Sequence, residues 1–210
     1  MVETARLERV LTFIGHESSN LSLSAIFCFN NSYNEVLHMK LNPKILLSIW
    51  IYIGWFGCVY FGKLGWSVAS IVFPLISWLL LRKAFHLDLK LATRLLTLAT
   101  VGLVFDTVCA RVGLINLNPT GMFGFLPLWM ISIWLLFITS MPLMQSVLQK
   151  LTFKKYILAG GLGAIFGPLS YRAGSQFGTL LIEGTTALSI YAIFWGLYFP
   201  MSIYWLEKRK

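Results

Sequence analysis

Six apolar runs, each near the roughly 17 to 25 residues that a helix needs to cross a bilayer, leave this chain few folds to choose from. They cover Ile45 to Phe61, Leu64 to Leu81, about Leu91 to Gly113, about Phe125 to Leu148, a run beginning near Tyr156, and about Ala187 to Trp205. Only Gly62 and Lys63 separate the first two, which predicts a tight helical hairpin, while LINLNPTGMFGF leads into the fourth through Asn-Pro and Gly turn signals. With 57% hydrophobic residues, 12% charged and a mean hydropathy of +0.74, the chain is an integral membrane protein by composition. Backbone groups in lipid must bond within their own segment, so the expected fold is all-α, a bundle of six transmembrane helices over residues 44 to 207.

Residues 1 to 43 differ. They mix Glu3, Arg6, Glu8, Arg9 and Glu17 with a serine-rich stretch, and the apolar patch at Ala25 to Phe29 is too short to span. Two readings fit: a cytoplasmic arm with an interfacial helix at Val2 to Ile14, or an upstream extension before a natural start at Met39, which is preferred. Neither assigns chemistry to the arm.

The formal charge of +9 raises nucleic acid as a partner, but the basic residues form short caps between apolar runs and no stripe or motif, so no nucleic acid is expected. Of the 17 Lys and Arg, 14 fall on the side of the N-terminus, and Lys63, Arg111 and Arg172 on the other. That asymmetry places both termini in the cytoplasm. Cys28, Cys58 and Cys109 are scattered, and His16, His38 and His86 lie outside the spans, so neither a disulfide framework nor a metal centre is predicted. No GxSxG, HExxH, Walker loop or dinucleotide fingerprint is present, and no cofactor is expected. Internal repeats are not evident, which argues against the common secondary transporters.

The candidate functional corner is Gly160 to Gly178, GGLGAIFGPLSYRAGSQFG. On a helix, Gly160, Gly163, Ala164, Gly167, Ser170, Tyr171 and Gly174 form one small-residue stripe that admits a neighbouring backbone. Pro168 has no N–H, so the carbonyl of Ala164 must find another donor at membrane depth. Asp106 is the acidic residue placed inside a span, where a carboxylate costs several kcal/mol (on the order of 3) unless neutralised, paired or hydrated. Counted from the starts of their runs, Asp106 and Tyr171 share a layer, and Gly102, Asp106, Ala110 and Gly113 make a second small face, so spans three and five are expected to pack there.

Asp106 has two readings of equal weight. It accepts hydrogen bonds from Thr107, Ser170, Tyr171 or the backbone freed by Pro168 as a structural lock, or it serves a ligand or reaction. Arg111 and Arg172 are available cations but read first as snorkelling to headgroups. Ser132, Thr139 and Ser140 read as hydroxyls bonded to their own helix, Trp129 as an interfacial anchor near Trp134, and Glu183 as a solvated loop residue.

Gly167-Pro168-Leu169-Ser170-Tyr171 followed by Ala173-Gly174 and Gly178 resembles a family of small bacterial inner-membrane proteins known only as a domain of unknown function. Gly54-Trp55-Phe56, the Asp106 region, Pro127-Leu128-Trp129 and the Leu135-Leu136-Phe137 run leading to Thr139 are similar too, over about Lys44 to Glu207. Many members carry Asn-His-Ser soon after the Thr139 position, where this chain has Met141-Pro142-Leu143-Met144 and so no histidine. The resemblance implies the topology and a shared polar corner but no activity; its members' genes lie near enzymes that modify fatty acyl chains, which points to lipid.

The expectation is therefore a pocket of Asp106, Ser170 and Tyr171, with Thr139 and Arg172 as further ligand contacts. Its partners would be membrane lipid and lipid-modifying enzymes. An enzyme using Asp106 as general acid or base is the alternative, and a small transporter the third.

Overall fold

The computed structural model describes residues 42–118, 126–149, 151, 154–182 and 184–208. The N-terminal arm, with Cys28, His16, His38 and the Val2 to Ile14 segment, lies outside the described residues, as do residues 119–125 of the loop before the fourth span and Glu183.

Among the described residues six α-helices follow one another: α1 Pro43–Lys63, α2 Val72–Ala84 continuing a 3-10 turn at Ser67–Ile71, α3 Leu89–Arg111, α4 Leu128–Leu148, α5 Lys154–Gln176 and α6 Gly184–Glu207. Their starts follow local chemistry. The Asn42 side chain accepts from the Lys44 N–H with Pro43 in the first turn, and the Asp88 carboxylate accepts from the Leu91 N–H, each satisfying a helix-start donor. Five are long and apolar enough to cross a membrane, counting Ser67–Ala84 as one. The sixth, α5, has spanning length but is diluted by glycines and charged at Lys154, Lys155 and Arg172.

The chain is not purely helical. β1 Ile115–Leu117 pairs antiparallel with β2 Leu180–Ile182, tying the α3–α4 connection to the α5–α6 connection at one end of the bundle. α3 and α5 lead into these strands identically. Gly113 and Gly178 take φ of 76° and 78°, and two residues beyond each the strand begins. The N–H groups of Leu114 and Thr179 reach back to the Cys109 and Gly174 carbonyls, closing both helix ends through a left-handed glycine.

The correspondence runs deeper than the turns. Asp106 and Tyr171 are 65 residues apart, and so are Gly102 and Gly167, Gly113 and Gly178, and Ile115 and Leu180. A helix, glycine, strand unit therefore occurs twice, although no repeat is evident in the sequence. A few small residues carry it, too few to stand out from an apolar background.

The packing of helices also differs from expectation. The small faces on α3 and α5 meet only where Tyr171 reaches Asp106, while Gly160, Gly163 and Gly167 lie against a different helix. α5 lies along α6, where Gly160 approaches the Gly196 carbonyl, Gly163 the Trp195 carbonyl, and Ala164 faces Gly196. α3 packs on α4 and α6. A small stripe announces close approach without naming the neighbour.

On the other side, α2 and its 3-10 turn are fastened to α4 by two hydroxyl pairs one heptad apart. Ser70 Oγ donates to Ser132 Oγ at 3.0 Å, and Ser77 Oγ and Thr139 Oγ1 lie 2.5 Å apart. Thr139 and Ser140 also bond to carbonyls of their own helix, at Leu136 and Phe137. Because Thr139 keeps that second partner, Ser77→Ala should cost only about 0.6 kcal/mol, the usual scale for a hydrogen bond between membrane helices, in an unfolding titration of the purified protein. At the far end Arg94 donates to the Trp205 and Lys208 carbonyls, and Lys155 pairs with Glu207 at 2.7 Å.

Candidate functional site

Asp106 is fully buried. Three helices send it donors: Trp134 Nε1 of α4 at 2.6 Å from Oδ2, Tyr171 OH of α5 at 2.7 and 2.8 Å from the two oxygens, and Tyr191 OH of α6 at 3.1 Å from Oδ1. All three are neutral side chains, so the carboxyl group is held by dipoles. These contacts engage both oxygens and draw four helices together one to two turns below the ribbon.

Gly102 explains how Trp134 reaches that position. It lies one turn before Asp106 on the same face of α3, and a methyl group there would overlap the six-membered ring of Trp134. The glycine seats the ring and the aspartate takes its N–H. Trp195 of α6 rests in the same way on Gly167 of α5, and Trp129 of α4 on Gly62 of α1. Trp134 and Trp195 stack at 5.3 Å with 4° between their planes. Trp129, expected at the membrane interface, is instead only 1% exposed.

These tryptophans wall a cavity of about 470 Å³, within the range of small-molecule sites. Trp129, Ile133, Trp134, Phe137 and Met144 of α4 form one side, Leu162, Gly163, Phe166, Gly167, Ser170, Tyr171 and Gly174 of α5 another, with Tyr52 and Trp55 of α1 opposite. Tyr52 and Phe166, 70% and 62% exposed, mark a mouth between α1 and α5 on the bundle's outer surface. The α4 wall runs from Trp129 to Met144, about 22 Å at 1.5 Å per residue, so the space is a groove along the helices.

Sequence-predicted residues divide around this groove. Ser170 and Tyr171 line it, whereas Asp106 stands behind the wall made by Trp134 and Tyr171. Ser170 Oγ donates to the Gly167 carbonyl and Thr107 Oγ1 to the Leu103 carbonyl, so neither serves Asp106. Thr139 is buried against Ser77, and Arg172 is exposed; neither lines the groove. Trp134, Tyr191 and Trp195 were not anticipated. The depth count that paired Asp106 with Tyr171 reaches Trp134 and Tyr191 as well, since all four lie five to seven residues from helix ends at the ribbon side.

The donors of the groove are unevenly satisfied. The Ser170 and Tyr171 hydroxyl protons are taken by Gly167 and Asp106. The indole Nε1 atoms of Trp129 and Trp195 are buried with no hydrogen-bond partner, and such a group costs about 1–3 kcal/mol. Among the described residues lining the groove there is no Lys, Arg or His.

A family model described as Protein of unknown function (DUF2878) matches residues 44–201. The chain belongs to that family. The match opens at the start of α1 and ends within α6, so the whole groove of this DUF2878 member falls inside it. No curated protein and no solved structure matches the chain.

Proposed function

We propose that this is a six-span protein of the bacterial inner membrane, both termini cytoplasmic, that takes a single lipid chain from the bilayer into the groove, as an accessory to lipid metabolism. The groove's shape carries the reading. A volume of about 470 Å³ spread over the roughly 22 Å of α4 wall leaves a cross-section of about 21 Å², narrow enough to select a single extended hydrocarbon chain. Its mouth lies between helices whose outer faces are apolar, with Ile45, Ile49 and Tyr52 on α1 and Ile165, Phe166 and Leu169 on α5 exposed. A chain could pass sideways without crossing water.

Span count and orientation rest on charge and length. α5 is long enough to cross with the other five, Lys63, Arg111 and Arg172 stand toward the ribbon, and Arg94, Lys155 and Lys208 gather at the opposite end. Asp106 acts here by fixing Tyr171 and Trp134 in the wall, and its place behind that wall, outside the groove lining, favours binding over acid–base chemistry at that carboxyl.

Ile133→Trp fills the groove from α4 without touching Asp106. Mass spectrometry of lipids co-purifying with the wild type is expected to show a bound acyl species that falls at least about fivefold in Ile133→Trp, as lost apolar burial of a few CH₂ groups implies. Equal lipid content in the two proteins at equal thermal stability would refute the groove as a lipid site.

A further inference from the structure

Resting on the groove as a chain-binding site, we infer that Ser170 and Ile133 are the residues that set its bore, because the protein carries a pseudo-symmetric counterpart of the groove that Phe105 and Phe194 fill. The half α3–β1–α4 and the half α5–β2–α6 are related by an approximate two-fold axis. The ribbon obeys it in register: Ile115 pairs with Ile182 and Leu117 with Leu180, while Ile115 and Leu180 are equivalent, 65 residues apart like Asp106 and Tyr171. The tryptophans obey it in space. Gly102 of α3 seats Trp134, its equivalent Gly167 of α5 seats Trp195, and the two rings stack on each other. Each ring also stands edge-on to the aromatic residue three positions past its mate, Trp134 to Tyr198 at 5.6 Å and Trp195 to Phe137 at 4.9 Å. With Trp134 equivalent to Trp195, Phe194 of α6 stands where α4 has Ile133, and Phe105 of α3 stands where α5 has Ser170.

The two sides differ at these positions. Between α4 and α5, Ile133 and Ser170 line an open groove. Between α3 and α6 the rings of Phe105 and Phe194 stack at 3.6 Å with 2° between their planes, and Tyr191 stands edge-on to Phe105. Tyr198 stacks on Phe194 in turn, and its hydroxyl donates to the Leu98 carbonyl. Such a space is filled by side chains or by a ligand, since an empty one forfeits contacts on every wall. Cover accounts for which side takes which solution. Tyr52 and Trp55 of α1 roof the groove, whereas Val104 and Ile193 beside the phenylalanine pair are exposed, so no helix among the described residues covers that side. The short side chains of Ser170 and Ile133 leave the width of one chain, and two phenyl rings at the equivalent positions leave none. One chain is therefore bound on the α4–α5 side and none on the α3–α6 side.

The test uses the full chain in digitonin, a detergent without an alkyl chain, and trans-parinaric acid, a straight polyene fatty acid that takes up energy from tryptophan. Wild type is expected to show saturable transfer at one probe per chain. Ser170→Phe should weaken that binding at least about tenfold, the effect of excluding about two CH₂ groups. Ser170→Ala keeps the bore and loses only the bond to the Gly167 carbonyl, so it should stay within about twofold of wild type, as should Phe105→Leu on the filled side. Undiminished binding in Ser170→Phe overturns the bore assignment and leaves the groove standing. An equal loss in Ser170→Ala does the same, because it gives the role to the hydroxyl rather than to size. A loss in Phe105→Leu, or two probes per wild-type chain, overturns the one-sided reading. No saturable transfer in folded wild type overturns the groove reading and this one with it. Should Ser170→Phe fail to fold, Ser170→Val carries the same comparison with an expected loss of about fourfold, and undiminished binding there overturns the assignment equally.

Discussion

Asp106→Ala is expected to destabilise the purified protein by about 3–5 kcal/mol, since one substitution strands three buried donors, each costing about 1–3 kcal/mol when unpaired. The three are Trp134 Nε1 and the hydroxyls of Tyr171 and Tyr191, on three different helices. Asp106→Asn should behave differently. Its carbonyl oxygen can keep Trp134 and Tyr171, and its amide can donate to a turned Tyr191 hydroxyl, so a loss of about 1–2 kcal/mol is expected. Unfolding curves in one detergent for wild type, Asn and Ala variants check the order. If Ala and Asn cost the same, the three donors are not what Asp106 contributes.

The second large effect belongs to Gly163. A Cβ there meets the backbone carbonyl of Trp195 on α6, and a carbonyl, unlike a flexible side chain, cannot swing aside. Gly163→Val must push α5 away from α6, at a cost of about 3 kcal/mol or more. Tyr171 moves with α5 and Tyr191 with α6, so the same variant should widen the groove and loosen the grip on Asp106. Gly161 is the internal control. A Cβ there meets nothing within 4 Å, and Gly161→Ala should be neutral or gain about 0.5–1 kcal/mol through helix propensity. A tolerated Gly163→Val would mean that α5 and α6 do not approach as closely as they do here.

Much of the bundle is legible in the amino-acid order because hydropathy has a length scale. The run Leu91 to Gly113 becomes Leu89–Arg111, and Ala187 to Trp205 becomes Gly184–Glu207. Depth is legible for the same reason. A fixed rise per residue puts Asp106 and Tyr171 in one layer, and the structure sets them in hydrogen-bond contact.

Azimuth is harder to read. Hydrophobic residues face lipid and core alike in a membrane protein, so the pattern that orients a soluble helix is missing. Gly160, Gly163 and Gly167 signal a neighbour, yet the neighbour is α6 rather than α3. Trp129 is an interfacial tryptophan by position and a buried one in fact, because Gly62, on a different helix, makes room for it. The ribbon escaped for a different reason: INL and LLI are three residues each, too short to show a period of two.

One idea joins these parts. Glycines seat tryptophans, Asp106 latches one of them, and the tryptophans wall a groove whose shape suits a chain. Photo-crosslinking tests it most directly, with cells fed a diazirine-bearing fatty acid, irradiated, and the adducts on the purified protein mapped by peptide sequencing. Adducts concentrated on Ile133, Phe137, Leu162 and Trp195, and lost in Ile133→Trp, are the predicted result. Adducts spread over the outward faces at Ile49, Val104 and Ile193, with none on the groove wall, would contradict it.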